Sequence, residues 1–326
     1  MSQALTPDTA AVSTEPADGV GEVPVHAPLS PHVTLKRVIM LINPLSGGVG
    51  PNAMAEAREI LADYDLEVEV ETLDHDFDDV VDRALASKPD ALLVLAGDGT
   101  AGTIATRAGS GGPLVAPLPG GTMNMLPRAL YGPGDWQSAM RLALSEGAAV
   151  TVSGGVVDKE HVFYCAAILG SPALWAPARE AVRTGRLKLA WTYARRALRR
   201  AFSGRLRHVL DGGDVRRAEA MVFICPMISR AMDEPVGLEA AAMNTANAGE
   251  AFRLAAHAVL NDWRDDPAVR TQPVRMAEMR GRSRIPAVID GEPVLLGRSA
   301  SVSFRPRAFR ALAPLPPTGE DGVRWG

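Results

Sequence analysis

An apolar run that ends in a glycine-rich turn is the feature that most constrains the fold of this chain. Residues 92–96 are all aliphatic, and Gly-Asp-Gly-Thr follows at 97–100, ahead of a helix-compatible segment. A continuous aliphatic run is typical of a parallel strand buried on both faces. Glycines after such a strand let backbone N–H groups approach an anion at the start of the next helix. The pattern predicts a phosphate-binding turn, in which Asp98 either reaches a phosphate through Mg²⁺ or holds the turn rigid.

Two further junctions of the same type occur in the first half of the chain. Residues 38–42 precede Asn-Pro-Leu-Ser-Gly-Gly at 43–48, and residues 114–119 precede Gly-Gly-Thr-Met-Asn at 120–124. The carboxyl ends of parallel strands lie at one edge of a sheet, so we expect the three loops to meet there, where doubly wound sheets bind ligands. Strands that alternate with helices up to about residue 147 predict an α/β domain with a parallel sheet.

The second half of the chain has a different pattern. Short apolar runs, punctuated by glycine and proline, predict β-strands in an antiparallel sandwich. These runs are residues 150–157, 162–169, 220–224, 287–290 and 301–304. We therefore expect an α/β nucleotide-binding domain at residues 34–148 and a β-rich domain at residues 149–313. The flanking residues 1–33 and 314–326 are predicted to be a disordered arm and a flexible tail.

Composition is typical of a folded protein without a membrane span. Hydrophobic residues make up 47% of the 326 residues, and no apolar run approaches the roughly 20 residues that a spanning helix needs. Residues 1–33 lack the basic and apolar regions of a secretory signal. Cys165 and Cys225 lie in apolar runs without a Cys/His cluster. This predicts buried free thiols and favours the cytoplasm.

Four short motifs follow one another along the chain. They are Asn-Pro-x-Ser-Gly at 43–47, Gly-Asp-Gly-Thr at 97–100, Gly-Thr-x-Asn at 121–124 and Asp-Gly-Glu at 290–292. In this order they resemble the diacylglycerol kinase catalytic family, in particular the soluble bacterial lipid kinases that also resemble sphingosine kinases. The resemblance covers residues 34–313. It implies that a nucleotide-binding α/β domain is paired with a β-rich, lipid-binding domain.

The resemblance also implies a binding site for ATP with Mg²⁺. Its expected nucleotide-binding residues are Asn43, Ser46, Thr72, Ala96, Gly97, Asp98, Gly99, Thr100, Gly121, Thr122 and Asn124. Thr72 is assigned by position alone, and Ala96 stands where the family has glycine. Structural roles remain as alternatives, because Asn43-Pro44 is a common turn and both Ser46 and Thr122 are good helix caps.

Asp290 follows a short apolar run, and the resemblance implies that it deprotonates the acceptor hydroxyl. Asp98 joins it in the expected catalytic set, and Glu292 is assigned to organising metal or water. The alternative for Asp290 is a plain hairpin turn, because Asp-Gly is the commonest hairpin dipeptide. The three upstream loops favour the catalytic interpretation.

Two departures from the family pattern are visible. Gly102-Thr103 replace Asn-Glu, which removes polar contacts near the phosphates and is expected to weaken nucleotide binding. Near Met243 many bacterial members have Asn-Asp-Gly, whose aspartate helps to hold a structural Mg²⁺, whereas this chain has no acidic residue between Glu239 and Glu250. We therefore expect no dedicated structural metal site.

Residues 179–217 are the most basic segment, with 12 Lys or Arg residues, three acidic residues and interleaved aromatic residues. The segment predicts a basic helix suited to an anionic membrane surface. A helix packed on the sandwich is the second interpretation, and nucleic acid binding is the least favoured. We thus expect a cytoplasmic protein peripherally attached to the inner face of the membrane. Homodimer formation stays open.

Three functions are compatible with these features. The leading hypothesis is an ATP-dependent lipid kinase that phosphorylates a hydroxyl of diacylglycerol or a related lipid. The second is a kinase with a soluble acceptor, since NAD kinases share the Gly-Asp-Gly loop. The third is a catalytically silent lipid-binding protein, suggested by the altered Asn-Glu. The Gly-Gly-Thr-Met-Asn-Met loop at 120–125 and the Asp-Gly-Glu motif favour the lipid kinase.

Overall fold

The computed structural model describes residues 27–73, 76–170, 206–229, 236–243 and 269–315. Two halves follow each other in these residues. We call residues 27–146 the α/β half and the described residues from 147 onwards the β-rich half.

The α/β half alternates strands and helices. Its elements are β1 (Arg37–Ile42), α1 (Ala53–Ala62), β2 (Glu67–Thr72), α2 (Phe77–Ala86), β3 (Ala91–Ala96), α3 (Asp98–Ala108), β4 (Leu114–Pro119), α4 (Met125–Tyr131) and α5 (Trp136–Glu146). The strands pair in parallel in the order β2-β1-β3-β4. The predicted parallel sheet is therefore confirmed.

The strand β3 lies in the centre of this sheet, and every residue of it is buried. Leu92 and Val94 pack with residues of α2 and α3 on one face. Leu93 and Leu95 pack with residues of α1 and α5 on the other face. Helices on both faces explain why the strand needs a continuous aliphatic sequence.

The β-rich half consists of strands in the described residues. They are β5 (Gly147–Val157), β6 (His161–Phe163), β7 (Ala166–Gly170), β8 (Leu206–Leu210), β9 (Arg216–Ala218), β10 (Ala220–Ile224), β11 (Leu238–Met243), β12 (Val269–Val274), β13 (Met276–Arg280), β14 (Pro286–Ile289), β15 (Glu292–Leu295) and β16 (Ser299–Pro314).

Some of these strands form an antiparallel sheet, and the others extend the parallel sheet of the α/β half into one mixed sheet. The antiparallel sheet has the order β12-β11-β10-β7-β14-β15. The mixed sheet has the order β2-β1-β3-β4-β16-β13-β8-β9, with β5 beside β16 and β6 beside β5. Apolar residues of both sheets, among them Phe163, Phe223 and Val302, form one core between them. The predicted β-rich sandwich is confirmed, although the predicted strand 162–169 is divided between β6 and β7.

The strand β16 belongs to both halves. Its first part pairs with β13, from Ser299 opposite Arg280 to Ser303 opposite Met276. Its second part reaches β4, where Ala311 is opposite Val115. The strand β5 runs antiparallel along both parts, and the register shifts between Arg305 and Phe309. A single mixed sheet therefore joins the α/β half to the sandwich.

The basic segment 179–217 is described only from residue 206 onwards. Residues 206–210 and 216–218 form β8 and β9, so the predicted helix is wrong for this part. Leu206 and His208 are buried on either side of the exposed Arg207. This alternation has the period of a strand and buries one face of β8 in the sandwich.

The predicted N-terminal arm, the C-terminal tail and the segment after Met243 lie wholly or partly outside the described residues. Residues 1–26, 244–246 and 316–326 lie outside the described residues. Ser30, within the predicted arm, is buried and donates a hydrogen bond of 2.7 Å to the Gly147 carbonyl. In the described part of the chain, no helix is long and apolar enough to cross a bilayer.

Candidate active site

Three loops meet at the carboxyl ends of β1, β3 and β4, as expected. The Gly48 N–H donates to the Gly120 carbonyl at 2.9 Å, which joins the first loop to the third. The Gly97 N–H donates to Ser46 Oγ at 3.1 Å. The Asn43 side-chain amide lies 3.5 Å from Thr100 Oγ1. Ser46 and Asn43 therefore connect the first loop to the Gly-Asp-Gly-Thr turn.

Glycines allow these loops to pack backbone against backbone. A Cβ on Gly121 would lie 2.8 Å from Gly97 Cα, and one on Gly120 would lie 2.8 Å from the Ala96 nitrogen. A Cβ on Gly48 would lie 2.9 Å from the Gly121 carbonyl oxygen. Such distances are too short for any side chain, so Gly48, Gly120 and Gly121 are steric requirements. Ala96 contributes its backbone, since its carbonyl accepts the Gly120 N–H at 3.1 Å.

The first turn of α3 presents unsatisfied donors. Gly97 is the N-cap residue in extended conformation, and α3 begins at Asp98. The N–H groups of residues 98–100 have no acceptor in the described residues. Free N–H groups and the positive end of the helix dipole favour an anion at this point. The turn therefore has the properties that the sequence predicts for phosphate binding.

The side chain of Asp98 is directed to the third loop. Its carboxylate accepts the N–H groups of Met125 and Leu126, both at 3.2 Å. These contacts support the interpretation that Asp98 holds the turns rigid. Each oxygen accepts one of these N–H groups and keeps a further lone pair. Asp98 can therefore still contact a metal ion carried by a nucleotide.

The third loop is closed by Asn124, which has a positive φ of 50°. Its Oδ1 accepts the Gly121 N–H at 2.8 Å, and its Nδ2 donates to the Gly121 carbonyl at 3.0 Å. Thr122 is exposed, and its Oγ1 lies 3.9 Å from the position of a Cβ on Gly47. Asn124 thus shapes the loop, whereas the Thr122 hydroxyl faces the first loop.

Thr72 is separated from these loops. It lies at the end of β2, opposite Ile42 of β1. No hydrogen bond joins it to the three loops within the residues described here. The only support for assigning Thr72 to the nucleotide site is therefore its position at the same edge of the sheet.

Asp290 lies in the two-residue turn between β14 and β15, where Asp290 and Gly291 have φ values of 45° and 91°. The hairpin expected from Asp-Gly is therefore present. The carboxylate is nevertheless engaged: Oδ2 accepts the Tyr164 N–H at 2.7 Å, and Oδ1 accepts those of Cys165 and Ala166, both at 2.9 Å. The turn thus fixes a carboxylate at the break between β6 and β7.

Burial and charge act together on Asp290. Burial raises the pKa of its carboxyl, the three N–H hydrogen bonds oppose the increase, and the negative charge of Asp98 adds to it. The pKa of the Cys165 thiol is also raised, mainly by burial and further by Asp290 and Asp98. Tyr164 donates its N–H to Asp290 and contacts Thr106 of α3, so it links Asp290 to the helix that begins at Asp98. Cys165 and Cys225 are buried free thiols, as predicted.

Glu292 is less closely associated with the site. It begins β15, is exposed and pairs with Ile289. No hydrogen bond connects it with Asp290 or the loops in the described part of the chain. Its assigned role in organising metal or water stays a prediction. Nor do the described residues contain a group of three or more His, Cys, Asp or Glu side chains placed to hold a metal.

Tyr164 is a site residue that the sequence analysis missed. Its N–H holds Asp290, and its hydroxyl is 2.8 Å from Thr106 Oγ1 on α3. Its ring carbon Cδ2 lies 3.4 Å from where a Cβ on Gly102 would be. The departure at Gly102 therefore leaves room for this ring against α3. That departure was the available signal, because a missing side chain often marks a close approach.

Known proteins resemble this chain in sequence family and in fold. Residues 37–155 match the family model of the diacylglycerol kinase catalytic domain. Among proteins with curated descriptions, no significant match is found. The family match supports a kinase.

Three similar solved structures come from Bacillus anthracis str. Sterne. Two provisionally assigned diacylglycerol kinases align with TM-scores of 0.65 and 0.64, at 16% and 17% identity. A further diacylglycerol kinase aligns with a TM-score of 0.61 at 13% identity. Each alignment covers 86% of this chain and 98% of the other. At these identities the likeness concerns the fold. Together with the family match, it confirms for residues 37–155 the resemblance to the diacylglycerol kinase catalytic family.

Proposed function

We propose that the protein is an ATP-dependent kinase that transfers the γ-phosphate to a hydroxyl of diacylglycerol or a related lipid. The observation that carries the proposal is the position of Asp290 near the phosphate turn. This carboxylate comes from the β-rich half and accepts the N–H of Tyr164, whose hydroxyl lies 2.8 Å from Thr106 Oγ1 on α3, the helix that begins at Asp98. A base from one half and an anion site from the other are what transfer to an alcohol needs.

The nucleotide phosphates would bind at the first turn of α3. The free N–H groups of residues 98–100 would donate hydrogen bonds to the phosphate oxygens, with the hydroxyls of Ser46 and Thr122 nearby. The loops pack backbone against backbone at the glycines, which restricts their movement. The donors are therefore positioned before ATP binds. Preorganised donors stabilise developing charge more effectively than donors that must first reorient.

Mg²⁺ bound to ATP would neutralise phosphate charge, and the carboxylate of Asp98 would contact it. Asp98 itself fixes the start of α4 through Met125 and Leu126. This contact keeps the second and third loops in register while a charged ligand binds between them.

Asp290 would receive the proton of the acceptor hydroxyl. Its Oδ1 already accepts two N–H groups, whereas Oδ2 accepts only one. A carboxylate oxygen has two lone pairs, so Oδ2 is the atom that can accept the proton. The raised pKa makes this carboxylate a stronger base than an exposed aspartate. The alcohol oxygen would then attack the γ-phosphorus as the bond to ADP breaks.

An apolar sheet face beside Asp290 supports a lipid acceptor. Ala166 donates its N–H to Asp290 and packs, with Ile168, near the buried Val222, Ile224 and Ala241. These residues lie on the face of the antiparallel sheet that is turned away from the sandwich core. Ala166 and Ile168 are half-buried. An acyl chain along this face would place the hydroxyl next to the base.

A transfer assay with radiolabelled ATP tests the proposal. Purified protein would be given diacylglycerol, monoacylglycerol, ceramide and a sphingoid base in mixed micelles, and NAD and glycerol in solution. We expect a labelled lipid product. Label in a soluble acceptor alone would replace the proposal with a soluble-acceptor kinase. ATP binding without any transfer would favour the silent lipid-binding alternative.

A pair of glycine variants gives the assay its control. Gly121→Ala should abolish ATP binding and transfer, because the new Cβ would lie 2.8 Å from Gly97 Cα. Gly134→Ala has no atom within 4 Å of its Cβ and should behave as the wild type. Full transfer by Gly121→Ala would show that the three-loop cluster is not the nucleotide site.

A further inference from the structure

Three arginines lie side by side on the mixed sheet. Arg207 of β8 is directly opposite Arg217 of β9 on one side and Arg280 of β13 on the other. Directly paired residues of neighbouring strands point to the same face. The three guanidinium groups therefore form one row across three adjacent strands, which we call the arginine row.

The arginine row faces away from the protein core. Among the neighbours along the strands, Leu206, His208, Ala218 and Met279 are buried, whereas Arg216 at the start of β9 is exposed. All three arginines are exposed. Alternation along β8 and β13 therefore turns the arginine row to solvent.

The arginine row carries uncompensated charge. Like charges at directly opposed positions destabilise a sheet. Among the described residues, none of the three arginines takes part in an ion pair. The exposed residues Arg282, Arg284 and Arg298 follow close by, and the Gly281 N–H bonds to the Arg298 carbonyl at 2.8 Å. Glu278, one row further along on β13, is an acidic residue on this face. Such a concentration of charge points to an anionic partner.

We infer that the arginine row is a docking surface for an anionic phospholipid bilayer. The inference deepens the proposed function, on which it rests, because a lipid kinase must work at a membrane surface. Guanidinium groups bind phosphates through paired N–H donors. A sheet face presents them in one plane, which fits the plane of lipid headgroups.

Exposed apolar side chains distinguish a bilayer from nucleic acid as the partner. Met276 shares the face of Arg280 and is 55% exposed, and Val215, just before β9, is 67% exposed. Apolar side chains beside basic ones gain free energy at the boundary between headgroups and acyl chains. The phosphate backbone of a nucleic acid gives them no such contact.

Vesicle co-sedimentation of the full chain tests this surface. Wild-type protein would be mixed with vesicles of phosphatidylcholine alone and with vesicles containing phosphatidylglycerol. We expect binding to the anionic vesicles only, weakened by salt. The variant Arg207→Gln/Arg217→Gln/Arg280→Gln should bind about a hundredfold more weakly, since each basic residue near an anionic surface contributes about fivefold. A control with the same charge change, Arg58→Gln/Lys88→Gln/Lys159→Gln, should bind like the wild type.

The outcomes separate this inference from the proposed function. Equal vesicle binding by the wild type and the arginine-row variant would overturn the inference. Loss of RNA binding in that variant, without vesicle binding by the wild type, would overturn it in favour of nucleic acid. Transfer to diacylglycerol in neutral detergent micelles should be unchanged in the variant. A wild type inactive in micelles would remove the proposed function, while vesicle binding would still decide whether the surface exists.

Discussion

Two Asp-Gly sequences in the β-rich half make the same hydrogen bonds to a neighbouring strand and have different surroundings. Asp290 donates its N–H to the Ala166 carbonyl and accepts the Ala166 N–H on its carboxylate. Asp211 does the same with Met276. Both aspartates have φ near 45°, at 45° and 48°, and a glycine with positive φ follows each.

The two aspartates differ in the length of their connection, which is residues 290–291 for Asp290 and 211–215 for Asp211, and in their burial. Asp211 is exposed, whereas Asp290 is half-buried and its pKa is raised by burial and by Asp98. The turn therefore supplies a fixed carboxylate, and the surrounding fold decides whether that carboxylate has a chemical use. Asp211 is thus a natural control for Asp290.

The largest effect should come from removing the two carboxylates in turn. Asp290→Asn should lower kcat by about 10²- to 10⁴-fold, the usual contribution of a general base. Asp211→Asn should leave kcat within about twofold, because its turn is remote from the phosphate loops. Steady-state transfer assays measure both variants. Similar losses in the two would mean that Asp290 acts through the stability of its turn.

A pH profile should sharpen the comparison. The raised pKa of Asp290 predicts that kcat/KM begins to fall at a pH above the usual carboxyl pKa of about 3.9, and then falls about tenfold per pH unit. The base must be deprotonated, so activity is lost towards acid. Asp211→Asn should keep this profile unchanged. An acidic limb at or below pH 4 would contradict the assignment of Asp290.

Replacing the glycines that follow the two aspartates should lower the free energy of unfolding by about 1–2 kcal/mol. Alanine is strained at positive φ, so Gly212→Ala at 72° should cost about 1–2 kcal/mol of unfolding free energy. Gly291→Ala at 91° should cost at least as much and also reduce kcat, because it displaces Asp290. Denaturant unfolding and transfer assays measure the two effects. An unchanged kcat in Gly291→Ala would mean that the turn does not position the base.

A smaller effect should distinguish acid inactivation from acid unfolding. His208 is on β8, the strand that leads into the Asp211 turn, and its pKa is lowered by burial and then by Arg216. The unfolded chain therefore binds a proton more readily, and stability falls as the pH drops below about 6.5. The slope is at most about 1.4 kcal/mol per pH unit.

The variant His208→Phe tests this contribution. Thermal unfolding should become less sensitive to pH between about 6.5 and 5, while the acidic limb of kcat/KM stays in place. If that limb moved together with the melting temperature, the loss of activity would reflect unfolding instead of protonation of Asp290.

The sequence predicted those features that depend on local pattern. The aliphatic run of β3 predicts a strand buried on both faces, because only such a strand needs apolar residues at every position. The glycine doublets at 47–48 and 120–121 mark loops that must pack closely. Asp290 could be assigned only through the order of motifs, since Asp211-Gly212 carries the same dipeptide.

Features that depend on distant partners were not predictable from local pattern. Nothing near Asp98 shows that it holds the start of α4, because Met125 is brought to it by the fold. The density of charge in 179–217 favoured a helix and obscured the alternation of Leu206, Arg207 and His208. The chemical roles of the site residues stay predictions, among them nucleotide binding by Thr72 and the organisation of metal or water by Glu292.

The path of β16 has a consequence for how the chain folds. The strand β4 has β3 on one side and β16 on the other, nearly 200 residues later in the chain. The mixed sheet cannot be completed until Ala311 has been synthesised, although β1 to β4 come from the first part of the sequence. Pairing over such a separation is slow, because a long loop must close before any contact forms. During translation β4 would stay unpaired on the side that β16 later occupies. Such an open sheet edge is prone to aggregation.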